Sequence, residues 1–328
     1  MSDRRRALPP TRAALAALVV AGVAVACGET ATQVGESDVV SLRVTPDSGR
    51  IARGSTLQIR AFPLDETQAF LPGVPVTWST SNPDVATVDE NGLASGVADG
   101  SAEITATAAG LTAKAVVSVE PPPVIVPDAD TVAFAMEAGG ADPPPDSVGI
   151  TNGGAFPLRD VAVDTIVYSG GSDGWLTAQF TSPGAPSVLA LTPIAGGLTT
   201  AGTLTATVWL TGTEAETVPV TAVLDVGPAA ASSTEVTEGD GQSAVAGTAV
   251  PVPPAVRVTD AFGNPVPSIQ VTFAVTDGGG SVTGATVATG ADGVATVGSW
   301  TLGETAGPNE LTATPAGLSG VTIAATGV

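Results

Sequence analysis

From about residue 38 onward the chain alternates apolar and polar positions in short runs with a period of two. In AGTLTATVWLTG (201–212), Leu204, Ala206, Val208 and Leu210 share one parity, and Thr203, Thr205, Thr207, Trp209 and Thr211 share the other. Successive side chains of a strand point to opposite faces. The pattern therefore predicts a strand with an aliphatic core face and a Thr-lined outer face from which Trp209 projects. The same alternation marks Leu57, Ile59 and Ala61, then Val76 and Trp78, then Ala102, Ile104 and Ala106, and later Ile269, Val271, Phe273 and Val275. Clusters of Gly, Pro, Asn and Asp separate these runs as turns. Asn91-Gly92, within Asp89–Gly92, predicts a hairpin, because both residue types tolerate positive φ. No segment after the first 26 residues keeps a helical apolar period over three turns. The expected fold class is all-β.

The N-terminus breaks the pattern. Arg4, Arg5, Arg6 and Arg12 surround or precede an unbroken apolar run, AALAALVVAGVAVA, over 13–26. A membrane span needs about 20 residues, whereas a run of about 7–15 suits the apolar core of a signal peptide. The run ends at Ala24-Val25-Ala26-Cys27. Small residues before a Cys at such a place resemble the lipobox of bacterial lipoproteins, with Ala24 standing where Leu is the commoner residue. The resemblance implies cleavage before Cys27, acylation of its thiol, and a membrane partner reached through that lipid. The other reading is an ordinary secreted protein cut near Ala26, with Cys27 incidental. Gly28 follows the Cys, so an Asp-type inner-membrane retention signal is missing. That favours the outer membrane or cell surface over the inner membrane. Residues 28–37, GETATQVGES, read as a flexible tether.

Two breaks divide the rest. Pro121-Pro122-Pro123 fixes three φ angles and removes three donors. Gly227-Pro228, followed by a small-residue run, makes the second. The resulting units, 38–120, 124–227 and 228–328, are each near the ~100 residues of an immunoglobulin-type sandwich. Three tandem β-sandwich domains are thus expected after the signal peptide and tether.

Residues 76–107, VTWSTSNPDVATVDENGLASGVADGSAEITAT, resemble the group 2 bacterial Ig-like domain: a Trp-Ser strand, an Ala-Thr-Val strand, an Asn-Gly hairpin and an Ile-Thr-Ala strand, in that order. Residues 256–282 and 289–314 carry Thr-Asp-x-x-Gly-Asn-Pro, Val-Thr-Phe, Asp-Gly-x-Ala and Trp-Thr-Leu-Gly. They resemble the invasin/intimin-type, group 1 domain. The middle unit, with Asn152-Gly153-Gly154, Trp175-Leu176 and the 201–212 strand, is similar to BACON-type sandwiches, a resemblance that implies carbohydrate or mucin binding.

Composition removes most chemistry. The 328 residues contain no His and one Cys, with 11 Lys plus Arg against 32 Asp plus Glu, a net charge of −21. Without His there is no Ser-His-Asp or Cys-His pair and no His-ligated metal. The acidic balance argues against nucleic acid, which needs a Lys/Arg face. Gly170–Gly174 fits the G-x-S-x-G elbow around Ser172, but the base that motif needs is missing, and the single Lys, Lys114, lies in another unit. Asp128, Asp130, Asp142 and Asp146 lie near Pro-rich segments, where oxygen ligands for Ca²⁺ are conceivable; solvated surface charge is the simpler reading. No catalytic residue, metal site or cofactor is expected, and the chain is read as a non-enzyme.

The function expected is a lipid-anchored cell-envelope stalk of Ig-like domains for surface display or adhesion. Units of ~30–40 Å would give a reach on the order of 100 Å, stiffened by Pro-rich joints. The 228–328 unit, farthest of the three from the lipid, is the expected adhesive one. The alternative is a carbohydrate-binding surface lipoprotein that contacts glycans through Trp209 of the middle unit. The partner is a surface protein or a glycan; the sequence does not name it.

Overall fold

A computed structural model describes residues 38–328. The described chain is all-β: it forms strands, turns and one short 3₁₀ element at Asp38, with no α-helix. No described helix is long and apolar enough to cross a membrane.

Three bodies follow one another, each with its own core. The first is built on Val44, Ile51, Ile59, Ile104, Val117 and Val119. The second is built on Phe134, Ile150, Trp175, Leu189, Leu191 and Leu224, among others. The third is built on Val256, Val271, Phe273, Trp300, Leu311 and Ile323. Each core lies between sheets whose inward positions follow the period of two. Along Gly202–Gly212, Leu204, Ala206, Val208 and Leu210 are buried, while the intervening residues are partly or fully exposed. Burying such a row removes aliphatic surface from water on one face only, which selects this register over a slip by one residue.

The three units share one device at their entry. In the first, Ser41–Thr45 pairs antiparallel with Arg60–Leu64, and Ser48–Ala52 then crosses over to pair parallel with Leu111–Glu120. In the second, Ile125–Pro127 pairs antiparallel with Asp146–Asn152, and Thr131–Glu137 pairs parallel with Ala215–Gly227. In the third, Ala231–Glu238 pairs antiparallel with Ala255–Asp260, and Gln242–Ala244 pairs parallel with Val321–Gly327. The entering chain thereby ties two sheets together and covers an edge that would otherwise be open. These are tandem Ig-like sandwiches.

Some local expectations are modified. Leu57, Ile59 and Ala61 do not share one strand: Ile59 lies between Thr56–Gln58 and Arg60–Leu64, where the chain changes sheet. The Asp89–Gly92 turn does join two paired strands, Ala86–Val88 and Leu93–Gly96. Only Gly92 takes positive φ there, 78°, while Asp89 Oδ1 accepts the backbone N–H groups of Asn91 and Leu93. Gly92 is also required sterically: a Cβ would lie 2.5 Å from the Ile59 carbonyl oxygen and 2.6 Å from the Trp78 ring. The small-residue run after Gly227-Pro228 is connection only in part. Ala231-Ser232-Ser233 already belong to a strand, and only residues 228–230 connect it to Ala215–Gly227.

Candidate functional site

The strand Gly202–Gly212 sits inside a four-stranded sheet, between Ala162–Ser169 and Ala215–Gly227, with Thr131–Glu137 beyond the latter. Its outward residues form rows with their neighbours. Trp209 lies opposite Thr165 on one side and Pro219 on the other. Thr207 lies between Val167 and Thr221, and Thr221 faces Thr131. Thr205 lies opposite Ser169, with 2.5 Å between the hydroxyl oxygens. This face is therefore a set of hydroxyls and methyls with one indole, as the parity of the strand predicts, and with the Asp225 carboxylate opposite Thr203. Trp209 is partly buried rather than fully exposed, because cross-strand Pro219 and Thr165 flank it. Hydroxyl rows can donate and accept hydrogen bonds with a polyol, and an indole can stack on the C–H face of a ring.

The other tryptophans of this and the third unit serve the cores. Trp175 is 1% exposed and packs edge-to-face on Tyr168, with centroids 6.3 Å apart; Trp300 is 0% exposed. Trp78 is partly buried against the first core.

Ser172 lines a cavity of about 440 Å³ with Gly170, Gly171, Gly197, Thr199 and Ala201. The lining carries no titratable side chain, so Ser172 meets no candidate base within that cavity. Lys114 is ion-paired with Glu103 at 2.6 Å on the first unit. Among the described residues no cluster of three or more Asp, Glu, His or Cys is arranged to hold a metal. Two of the linker-adjacent acids have structural work instead. Asp128 Oδ1 accepts the Gly149 N–H, and Asp142 Oδ1 accepts those of Ala195 and Gly196. Asp65 is likewise a turn acceptor, held below the usual carboxylate range by the Thr67 hydroxyl and the Ala69 N–H. Ala24, Val25, Ala26 and Cys27 lie outside the described residues.

Sequence reasoning missed the contacts between units. At the first joint, Arg50 lies over the Phe156 ring, 5.3 Å from its centroid, while Glu120 grips the same guanidinium. At the second, the turn Asp260–Asn264 reaches into the middle unit. Asn264 Nδ2 donates to the Thr199 carbonyl, and Asn264 Oδ1 accepts the Ala201 N–H. The available signal was Phe262, an aromatic residue set in a turn of small and polar residues.

Residues 38–119 match the family model of the bacterial Ig-like domain, group 2. A curated relative, ice-binding protein 1 of Shewanella frigidimarina, is 31% identical over 183 residues, half of this chain. The chain spans about a fifth (20%) of that relative's length. Among solved structures, the FdeC adhesin of Escherichia coli is 19% identical and covers 88% of this chain and 96% of its own, at a TM-score of 0.31. Domains 4–9 of the surface layer protein SbsC are 17% identical, over 89% of this chain and 48% of theirs, at 0.28. The D00-D0 domain of intimin is 14% identical, over 59% and 96%, at 0.26. With overlaps this low, the fold of this chain rests on its own strands and pairings. The first unit matches the bacterial Ig-like domain model, and the chain is an array of Ig-like sandwiches.

Proposed function

We propose that this protein is a non-catalytic stalk of Ig-like units, anchored to the cell envelope by lipid on Cys27, that holds the 228–328 unit away from the membrane for display or adhesion. The observation that carries the reading is the succession of three sandwiches along the chain, each with a separate core and short connections, following a basic and apolar leader that stops at the chain's one Cys. An acidic, Thr-rich surface supports it, since like charge resists edge-to-edge association of so many strands. The anchor is tested by growing the expressing cells with a labelled fatty acid, comparing the natural chain with Cys27→Ser. Label retained by the natural chain and lost in Cys27→Ser supports the anchor, and an unlabelled natural chain removes it. External protease that clips the array on intact cells supports display at the cell surface, and full protection places it inside the envelope.

A second reading is favoured by the outward face of the middle unit: glycan recognition through Trp209 and the threonine rows beside it. Binding to a polysaccharide and mucin-glycan array that disappears in Trp209→Ala supports this reading. Binding that survives the substitution keeps glycan recognition but moves it off this face. A natural chain that binds no glycan leaves the display role alone.

A further inference from the structure

The two joints of the array are built differently, and the second has the features of a latch. Asp260 ends the strand Ala255–Asp260 and is 2% exposed. Its Oδ1 accepts the N–H groups of Phe262 and Asn264, both at 2.9 Å. Its Oδ2 accepts the Asn264 Nδ2 at 2.8 Å and the Ala229 N–H, from the connecting segment, at 2.9 Å. Asn264, 7% exposed, is thereby fixed with its amide aimed at the middle unit. It donates to the Thr199 carbonyl at 2.7 Å and accepts the Ala201 N–H at 2.9 Å. Gly263, at φ 87°, closes the turn between them. The Phe262 ring stands over Gly139, where a Cβ on the glycine would collide with it. Gly139 in turn donates to the Leu198 carbonyl, and Ala138 to that of Gly227. One five-residue turn thus engages three separate segments: the connection, the 199–201 loop and the 138–140 loop.

The first joint has no counterpart. Its proline segment is bound to the middle unit, through Ala155 N–H to the Pro121 carbonyl and Val124 N–H to Asn152 Oδ1. The body of the first unit reaches across through the Arg50 guanidinium on Phe156. Beside that contact the units leave a cleft of about 410 Å³, bordered by Arg53, Pro121–Pro123, Glu214 and Glu216.

We infer that the Asp260–Asn264 turn locks the middle and third units into one rigid body, and that the array bends at the prolines between the first and second units. Motion between linked domains is the default unless their interface resists it. A buried, mutually satisfied polar cluster resists because any rotation would strand donors and acceptors away from both water and partners. A single exposed cation–ring contact does not. The inference does not depend on what the array binds or on how it is anchored.

The test is a pair of distance measurements by double electron–electron resonance on the full chain carrying Cys27→Ser. Spin labels at Asp164→Cys and Ser281→Cys span the second joint, and labels at Glu66→Cys and Asp173→Cys span the first; all four positions are exposed. The expected result is a narrow distance distribution across the second joint and one at least about twofold broader across the first, as free domain motion gives. Asn264→Ala removes both cross-joint bonds and broadens the second distribution to match the first. Phe262→Ala does so partially without touching the buried cluster, and it decides the matter if Asn264→Ala fails to fold. Equal widths at the two joints of the natural chain would overturn the inference, as would a second distribution that stays narrow in folded Asn264→Ala or, where that variant does not fold, in Phe262→Ala.

Discussion

The two connections between sandwiches in this chain meet the same need with opposite means. Pro121–Pro123 stiffens the chain itself, by fixing φ and by removing donors that would otherwise need partners. The second connection has one proline, Pro228, and gains its order from groups far away in sequence, with Asn264 bonding to Ala201 63 residues earlier. A stiff linker limits where a domain can go. A satisfied buried cluster selects one orientation, because every other orientation leaves polar groups unpaired. Proline content alone therefore ranks the two joints in the wrong order: the proline-rich one is the less constrained between its bodies.

The largest effect expected is at the cluster itself. Asp260→Ala leaves the N–H groups of Ala229, Phe262 and Asn264 without their acceptor, and such loss at a buried site costs about 3 kcal/mol. Trp78 and Trp300 are the single tryptophans of the first and third units. Denaturant melts followed by fluorescence should show the Trp300 transition falling while the Trp78 transition holds. A Trp300 midpoint unmoved by Asp260→Ala would mean that the cluster contributes nothing and that the contrast between joints is only geometric.

Glycines sharpen the contrast next. At the first joint a Cβ on Gly154 would run into the Pro122 carbonyl and the Pro123 backbone, which cannot move without displacing the linker. At the second, a Cβ on Gly139 meets the far end of the half-exposed Phe262 ring, and its φ of 68° disfavours a side chain by about 1–2 kcal/mol. Gly154→Ala should therefore detach the proline segment and destabilise the middle unit by about 2–3 kcal/mol, more than Gly139→Ala does. Urea midpoints of the two variants measure this. The reverse order would show that the linker yields more easily than the ring.

These positions also show what the sequence made legible and what it hid. Alternation placed Leu204, Ala206, Val208 and Leu210 inside and Trp209 outside, because strand geometry is local and reads directly from parity. The Asp89–Gly92 turn was legible for the same reason. The Asp, Gly, Asn and Pro of 260–265 were equally visible as one of the turn clusters, but the use of that turn was not. Whether a turn faces water or a neighbouring domain depends on Thr199 and Gly139, which no local pattern links to it. Arg50 and Phe156 are hidden likewise, since a cation and a ring on different units leave no periodic trace. For Trp209, parity gave the face, whereas its partial burial came from cross-strand Pro219 and Thr165.

Acid should narrow the difference between the joints. Burial pushes the Asp260 carboxyl up, but hydrogen bonds from the Asn264 side chain and the N–H groups of Ala229, Asn264 and Phe262 outweigh it and hold the group below its ordinary value. A carboxyl whose folded value is depressed contributes stability that is fully present above its unfolded value, about 3.9, and is lost as pH falls through the folded one. The second joint should therefore be insensitive between pH 5 and 8 and loosen below about pH 4. Asp260→Asn should flatten that acid limb in the Trp300 melt. A limb that persists in Asp260→Asn would assign it to other carboxylates of the third unit.

The smallest effect expected is that of salt and of Arg50. The Arg50–Glu120 pair and the Phe156 ring form a contact in which Arg50 is 60% exposed at its side chain, so its charges already interact mostly with water. Glu120 is held below its usual range by the Arg50 hydrogen bonds, yet pairs this exposed are screened at ordinary ionic strength. Arg50→Ala should shift either neighbouring melt by less than about 2 °C, while broadening the spin-label distances across the first joint only slightly, since that joint is already loose. Raising salt to about 0.5 M, where screening acts within a few ångströms, should reproduce the Arg50→Ala behaviour at the first joint and leave the second unchanged. Salt that loosens the second joint instead would mean that exposed charge, not the buried Asp260–Asn264 cluster, sets its orientation.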